Sequence, residues 1–355
     1  MKIDTQGGPW RMLAGVGGIG TGMFFALEGE HTLGRNESRP GRLLDVRDYC
    51  KLHIIAHYVA VLLGARESGE PFHVVPIGKV GRDDAGRRLL DEMNAAGMDT
   101  RYVEAVADRA TDLSVCFQYP DGSGGNITTS NGASSTLAAA DIDRAEDIFA
   151  AYKGRFVALA APEAPLGARK HLLELAGRYE GYRVAAFASA EIAEAVKIGI
   201  FELADLVSLN EDEAGMLVGR KFKAGGEEEF LADCARALTR HNAGMRIVMS
   251  AGKEGAYGYE GGKWDYCPSA GAKVASTAGA GDALLGGVIA GLAAGRSLTT
   301  GGARRTRLNE RPLTSALDMG VILAGMKVTS PHTIHPGANA QSLGEFAAGL
   351  GVEIG

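Results

Sequence analysis

The 355-residue sequence predicts a three-layer α/β protein, a doubly wound and mostly parallel sheet that carries a small β-sheet lid. Three observations lead there. From residue 141 onward helix-like and strand-like runs alternate, with strands at 156–160, 183–188 and 206–209 and helices at 166–179 and from 190. Alternation of this kind gives parallel strands covered by helices on both faces. Earlier, short strand-like runs at 23–27, 31–33 and 42–46, and a hairpin-like pair at 113–119 and 126–129 about Asp121-Gly122, interrupt the pattern. They read as a lid over 24–48 and 111–132, leaving 1–23, 49–110 and 133–355 as the core. Finally, a Gly-rich turn at 275–282 runs straight into an apolar helical segment, the kind of junction where α/β proteins hold ligands.

Composition narrows the function. A net charge of −6 argues against a general nucleic-acid binder, and the run Arg304-Arg305-Thr306-Arg307 reads as a solvated loop. Cys50, Cys116, Cys234 and Cys267 are far apart, which favours free thiols over a disulfide framework or a zinc site. The first ten residues lack an apolar signal core and no run is long enough to span a bilayer, so a cytoplasmic protein without a membrane partner is expected.

In chain order, residues 11–16 form a strand leading into Gly15-Val16-Gly17-Gly18-Ile19-Gly20. That spacing matches a dinucleotide fingerprint, which would make the protein a Rossmann-type oxidoreductase. The fingerprint wants a strand ending in an acid about 20 residues on. The turn-rich, polar stretch at 34–41 stands there instead, so the glycines read better as places of close approach. Residues 49–64 carry apolar side chains at helical spacing, with His53 and His57 as polar members of the helix rather than metal ligands. A strand at 72–78 turns through 78–86 into a helix ending near Gly97, with Asp83 or Asp84 as its cap. A polar, Arg-rich interruption at 295–312 precedes a helix at 314–328 and a loop at 330–339 containing His332, His335 and Asn339, which reads as solvated.

The chemistry concentrates in Ser276-Thr277-Ala278-Gly279-Ala280-Gly281-Asp282. Small residues at a helix start leave backbone N–H groups uncovered, where the helix dipole favours an anion. A carboxylate there repels a bound phosphate. Asp282 makes sense if it takes a proton from a hydroxyl attacking a phosphoryl group, although an acidic residue in a first helical turn is also an ordinary cap. Upstream, Asn210-Glu211-Asp212-Glu213 follows a buried strand, and its spacing is equally that of a capping box. Ser250-Ala251-Gly252-Lys253-Glu254-Gly255 follows another strand, where glycines permit close backbone approach.

These motifs, in this order, are similar to those of the ribokinase-like (PfkB) sugar kinase family, whose C-terminal signature is Asp-Thr-Thr-Gly-Ala-Gly-Asp followed by small residues, here Gly286-Gly287. The resemblance implies a ribokinase-like fold and ATP-dependent transfer of a γ-phosphoryl group to a hydroxyl of a sugar or sugar-like small molecule. It implies Asp282 as the catalytic base and Gly279, Ala280 and Gly281 as the anion hole. Asn210, Ser250, Gly252 and Gly255 would contact the nucleotide, and Glu213 would order magnesium. A non-catalytic nucleotide-binding paralogue has the same motifs, and a homodimer through the lid is the self-association this fold allows. Two acceptor-side features depart from the family. Gly20 or Thr21 stands where the first strand usually ends in an Asp, and Cys50-Lys51-Leu52-His53-Ile54-Ile55 replaces Gly-Gly-x-x-x-Asn. Ser276 replaces the signature's first Asp, which implies weak dependence on the monovalent cation many members hold there.

Overall fold

The computed structural model describes residues 3–5, 7–121, 123–223, 225–301 and 305–353. Among them the strands are β1 (Met12–Val16), β2 (Gly20–Leu27), β3 (Gly41–Tyr49), β4 (His73–Gly81), β5 (Val103–Val106), β6 (Asp112–Gln118), β7 (Gly124–Thr128), β8 (Phe156–Ala160), β9 (Tyr182–Ala186), β10 (Leu206–Asn210), β11 (Arg246–Ser250), β12 (Gly255–Glu260) and β13 (Lys263–Pro268). Nine of them form one sheet in the order β13-β12-β11-β10-β9-β8-β1-β4-β5. It is parallel from β5 to β11, and β12 and β13 add an antiparallel edge. The other four make a small mixed sheet, β3-β2-β6-β7, in which β2 and β6 run parallel.

The central strands of the large sheet are buried on both faces because they are mostly apolar, β1 and β8 at every position, and the period of two divides each strand between two cores. Leu13, Val74, Val157 and Leu159 face one helical layer; Met12, Ala14, Val75, Phe156 and Ala158 face the other. The first layer contains α1 (Lys51–Leu63) and α2 (Asp84–Ala95). The second contains α3 (Ala139–Asp143), α4 (Glu146–Ala151), α5 (Leu166–Arg178), α6 (Ile192–Lys197), α7 (Glu211–Val218) and α8 (Glu227–Thr239). Later in the chain α9 (Ala280–Ala293), α10 (Ala316–Lys327) and α11 (Ala340–Gly349) complete the first layer.

Several expectations are corrected. Residues 31–33 form no strand: Leu33 gives its N–H to the Tyr119 hydroxyl (2.9 Å) and His31 pairs with Glu37 (2.8 Å), so no ladder forms. The turn at Asp121-Gly122 is described only at Asp121, with Gly122 outside the described residues. His53 is buried in the core rather than on a polar face, and burial holds its ring neutral, with its pKa pushed down to about 3. Arg305 is not solvated. It is buried against Asp318, whose carboxylate also accepts from the Thr314 and Ser315 amides at the start of α10. Arg304 of the same run lies outside the described residues. The loop at 330–339 is docked, with Thr333 buried and the His332 ring accepting from the Arg47 amide (3.0 Å).

Glycines set the closest helix contact. A Cβ on Gly287 of α9 would lie 2.7 Å from the Gly320 Cα of α10, and one on Gly291 would lie 2.8 Å from the Ala316 Cα. Backbone cannot yield as a flexible side chain can. Gly287→Leu is therefore expected to destabilise the protein by about 1–3 kcal/mol, the usual scale for overpacking. Gly167→Ala, at a position of α5 with open space around it, should be neutral or stabilising by up to about 1 kcal/mol. Urea unfolding midpoints of the two variants check the contrast.

Candidate active site

Strand β1 lies between β4 and β8, so the chain leaves it in opposite directions and the order of the sheet reverses there. Ligands bind in the crevice such a reversal opens at the carboxyl ends of the strands. Charged groups from most of the elements around it converge there. They are Asp282 at the start of α9, Lys51 at the start of α1, Glu163 beyond β8, Glu213 in the first turn of α7, Asp48 near the end of β3 and Lys327 at the end of α10.

The turn before Asp282 is shaped by one residue that must be glycine. Gly279 has φ +78°, and a Cβ on it would stand 2.6 Å from the Thr333 carbonyl oxygen. The approach to the turn is pinned to the end of α10: Ala275 donates to the Val328 carbonyl (2.7 Å) and the Lys327 ammonium donates to the Ser276 carbonyl (2.9 Å). Within the turn the Ala280 amide donates to Thr277 (3.1 Å), while the amides of Gly279 and Gly281 donate to no protein group among the described residues. Two backbone donors thus remain at the positive end of the α9 dipole, an arrangement that receives an anion.

The electrostatics set these groups apart. Asp282 keeps part of its surface open to the cleft, yet the protein around it displaces most water. That desolvation raises its pKa, against the opposing pull of Lys51 and Lys327. A carboxylate so placed is a better proton acceptor than one in water. Burial works against the charge on Lys51, but Asp282, Glu213, Glu163 and Glu191 together hold its pKa above the ordinary value. Lys327 is fully buried, and burial pushes it down to about 8 against the attraction of Asp282 and Asp48.

Asn210 and Glu213 are locked to each other. The Asn210 Oδ1 accepts the Glu213 amide (2.8 Å), and the two Glu213 oxygens accept the Asn210 amide (2.8 Å) and side-chain N–H (2.9 Å). This is a complete capping box, so the carboxylate stands in the cleft with its geometry fixed. No group of three His, Cys, Asp or Glu residues suited to a metal ion occurs among the described residues. That donor set fits a cation held mainly by phosphate and water oxygens, as magnesium commonly is. Ser250 lies beside Asn210 as its partner in the β10–β11 register. The turn after it needs both glycines: Gly252 has φ +49°, and a Cβ on Gly255 (φ +115°) would stand 2.1 Å from the Cys267 carbonyl oxygen.

The Gly15–Gly20 run serves packing. A Cβ on Gly15 or Gly17 would meet Leu52, one on Gly18 would meet Glu163, and one on Gly20 would meet Asp112. The run passes into strand β2 rather than into a helix, which removes the dinucleotide reading. Four charged residues of the cleft were not singled out from sequence. Lys327 carried a signal, being the lone cation in the apolar run of α10. Lys51 carried one too, as a charge in place of the expected glycine. Asp48 and Glu163 carried none, because only the fold brings them to Asp282.

A fixed carboxylate behind an anion-binding turn, at the crevice of a doubly wound sheet with a small second sheet, defines a kinase of hydroxyl-bearing small molecules. The comparisons with known proteins place it more closely. The sequence model of the pfkB family carbohydrate kinases matches residues 55–339, and the chain belongs to that family. It is 25% identical over 217 residues to the ribokinase of Staphylococcus aureus (strain COL), covering 61% of this chain and 67% of that one. It is 24% identical over 304 residues to the adenosine kinase of Saccharomyces cerevisiae, covering 79% and 77%. Ribokinase from Cryptococcus neoformans var. grubii serotype A, solved in complex with ADP, superposes with a TM-score of 0.70 at 22% identity over 95% of this chain and 99% of that one. The protein is a phosphotransferase with a hydroxyl acceptor, on a ribokinase-like fold.

Asp282→Asn should lower turnover by about 10² or more, the scale of a lost general base. Because the folded protein holds the carboxyl above its unfolded pKa, ionised Asp282 destabilises the fold at neutral pH. The neutral variant should therefore melt no lower than the parent. A variant keeping more than about half the parent's turnover, with chemistry rate-limiting, removes the base assignment. Lys327 loses its proton as pH rises through about 8, so kcat/KM should fall on that limb. In Lys327→Met the limb should vanish and the rate at pH 7 should already be low.

Proposed function

We propose that the protein transfers the γ-phosphoryl group of ATP to a hydroxyl of a small polyhydroxylated acceptor, a sugar or a nucleoside. The observation that carries this reading is Asp282, set one residue beyond the free Gly281 amide with its carboxyl pKa raised by desolvation. Asp282 removes the hydroxyl proton as the oxygen attacks the γ-phosphorus, and the bond to the departing ADP breaks. Charge developing on the phosphoryl oxygens meets the Gly279 and Gly281 amides and the α9 dipole, with Lys51 close by. The Ala280 amide, bonded to Thr277, serves by fixing the turn. Asn210, Ser250, Gly252 and Gly255 line the adjacent strand ends, where the nucleotide would lie. Bound magnesium would neutralise the ATP phosphates. Glu213, its oxygens already engaged by Asn210, would reach the ion through water.

The identity of the acceptor does not carry over from relatives at 25% and 24% identity. Ile54 and Ile55 turn into the core, so α1 offers the acceptor no side-chain amide there. Free ribose and fructose would therefore bind less well than an acceptor with further contacts. Met23, Leu43 and Ile127 of the small sheet are exposed, which suits a lid that also forms a homodimer. The four cysteines are free, as suits the cytoplasm. No described helix is long and apolar enough to cross a membrane.

ADP release, measured across a panel of sugars, nucleosides and polyols with ATP and magnesium, tests the reading. At least one member should be turned over, with ribose and fructose below about 10⁴ M⁻¹s⁻¹ in kcat/KM. A panel with no acceptor overturns the reading. In Glu213→Gln the magnesium concentration needed for half-maximal rate should rise more than the KM for ATP. An unchanged magnesium titration with lowered thermal stability would leave Glu213 as a cap alone. Potassium at fixed ionic strength should change turnover little, since Lys327 already places a cation on the Ser276 carbonyl.

A further inference from the structure

We propose that Asp48, on strand β3 of the small sheet, is the carboxylate that accepts hydrogen bonds from the acceptor's hydroxyls, a role that the facing start of β2, Gly20, Thr21 and Gly22, offers no free side chain to fill. The proposal rests on the kinase reading above and names a specificity-determining residue for it.

The geometry is particular to this chain. Gly22 and Asp48 are direct cross-strand partners in the antiparallel β2–β3 pair. The Asp48 side chain leans over the glycine: a Cβ on Gly22 would stand 2.1 Å from Asp48 Oδ2. The carboxylate therefore fills space that a side chain on the neighbouring strand would otherwise occupy. Gly22 does not have a positive φ, so its backbone does not require glycine, and its lack of a side chain is what admits Asp48. Thr21 cannot substitute, because its hydroxyl donates to the Asp48 carbonyl (3.2 Å) and accepts from Arg88 (2.8 Å).

Asp48 also faces the reacting centre. It lies within electrostatic range of Asp282 and Lys327, and Thr333, whose carbonyl closes over Gly279, holds the backbone on both sides of it: its hydroxyl donates to the Arg47 carbonyl (3.4 Å) and accepts from the Tyr49 amide (3.1 Å). The Cys116 thiol is 4.0 Å from Oδ2. No ion pair holds Asp48: among the described residues no Lys, Arg or His nitrogen lies within 4 Å of its carboxylate. A half-buried carboxylate beside a second one, without a paired cation, is unfavourable for the fold, and desolvation first and Asp282 after it push its pKa up to about 6. At neutral pH it remains an ionised acceptor within electrostatic range of Asp282. Groups kept in such a state cluster at functional sites. Its strand belongs to the small sheet, so this contact would also tie the acceptor to the lid.

Three variants, assayed by ADP release with the panel member on which the parent has its highest kcat/KM, test the assignment. Asp48→Asn keeps shape and fold. It should raise the acceptor KM about 10-fold or more, the scale of a lost hydrogen bond to a charged group, while the KM for ATP stays within about 2-fold. Asp48→Gly should lose at least as much. Gly22→Asp combined with Asp48→Gly returns a carboxylate to the same place from the other strand, and should recover most of the Asp48→Gly loss. A merely structural role for Asp48 would not move the acceptor KM alone while the KM for ATP held, in the single variants or in the swap. An acceptor KM in Asp48→Asn within about 2-fold of the parent overturns the assignment and leaves the kinase reading standing, as does a folded swap variant no better than Asp48→Gly. A parent that turns over no member of the panel removes the kinase reading, and this assignment falls with it.

Discussion

The bond from the Lys327 ammonium to the Ser276 carbonyl is the contact on which the turn before Asp282 depends. An ammonium buried at the end of an apolar helix is costly unless its surroundings supply oxygen acceptors and negative charge. Here the surroundings are Ser276 on one side and Asp282 and Asp48 on the others. The cost can be met only if α10 lies hard against α9, and the facing glycines Gly287, Gly291 and Gly320 permit that approach. The shape of the turn, the charge beside the base and the packing of two helices are thus one arrangement. Changing any of the three disturbs the others.

The opposite wall of the cleft follows a different logic. The Gly15–Gly20 run lets β1 end close against Leu52, Glu163 and Asp112, drawing the start of α1 and the loop after β8 together. Glu163 accepts the Lys51 amide (2.8 Å), and its backbone holds φ +68°, a conformation unusual for a side-chain-bearing residue. The result is a cluster in which three carboxylates, Asp282, Glu163 and Glu213, act on the Lys51 ammonium.

Much of this was legible in the chain. Mostly apolar runs bounded by turn residues marked β8, β9, β10 and β11, since a strand covered on both faces keeps its polar residues few and mainly at its ends. The turn before α9 was legible because its shape demands a local sequence: small residues, a positive φ and a carboxylate in the first helical turn. Strands β12 and β13 were not anticipated. Their polar and aromatic residues, among them Glu260, Lys263 and Trp264, suit a sheet edge that is half solvated, and that pattern resembles a loop.

What the sequence by itself determined was the fold class and the family, because the one is written in the alternation of strand-like and helix-like runs and the other in short motifs read through local geometry. What only the tertiary structure decided was the company Asp282 keeps. Asp48 and Lys51 share one stretch of chain, but Glu163 and Lys327 come from two others, and none of the four gains a perturbed charge until the sheet order sets their elements side by side. Electrostatic coupling depends on distance through space and on excluded water, and neither quantity exists along an extended chain.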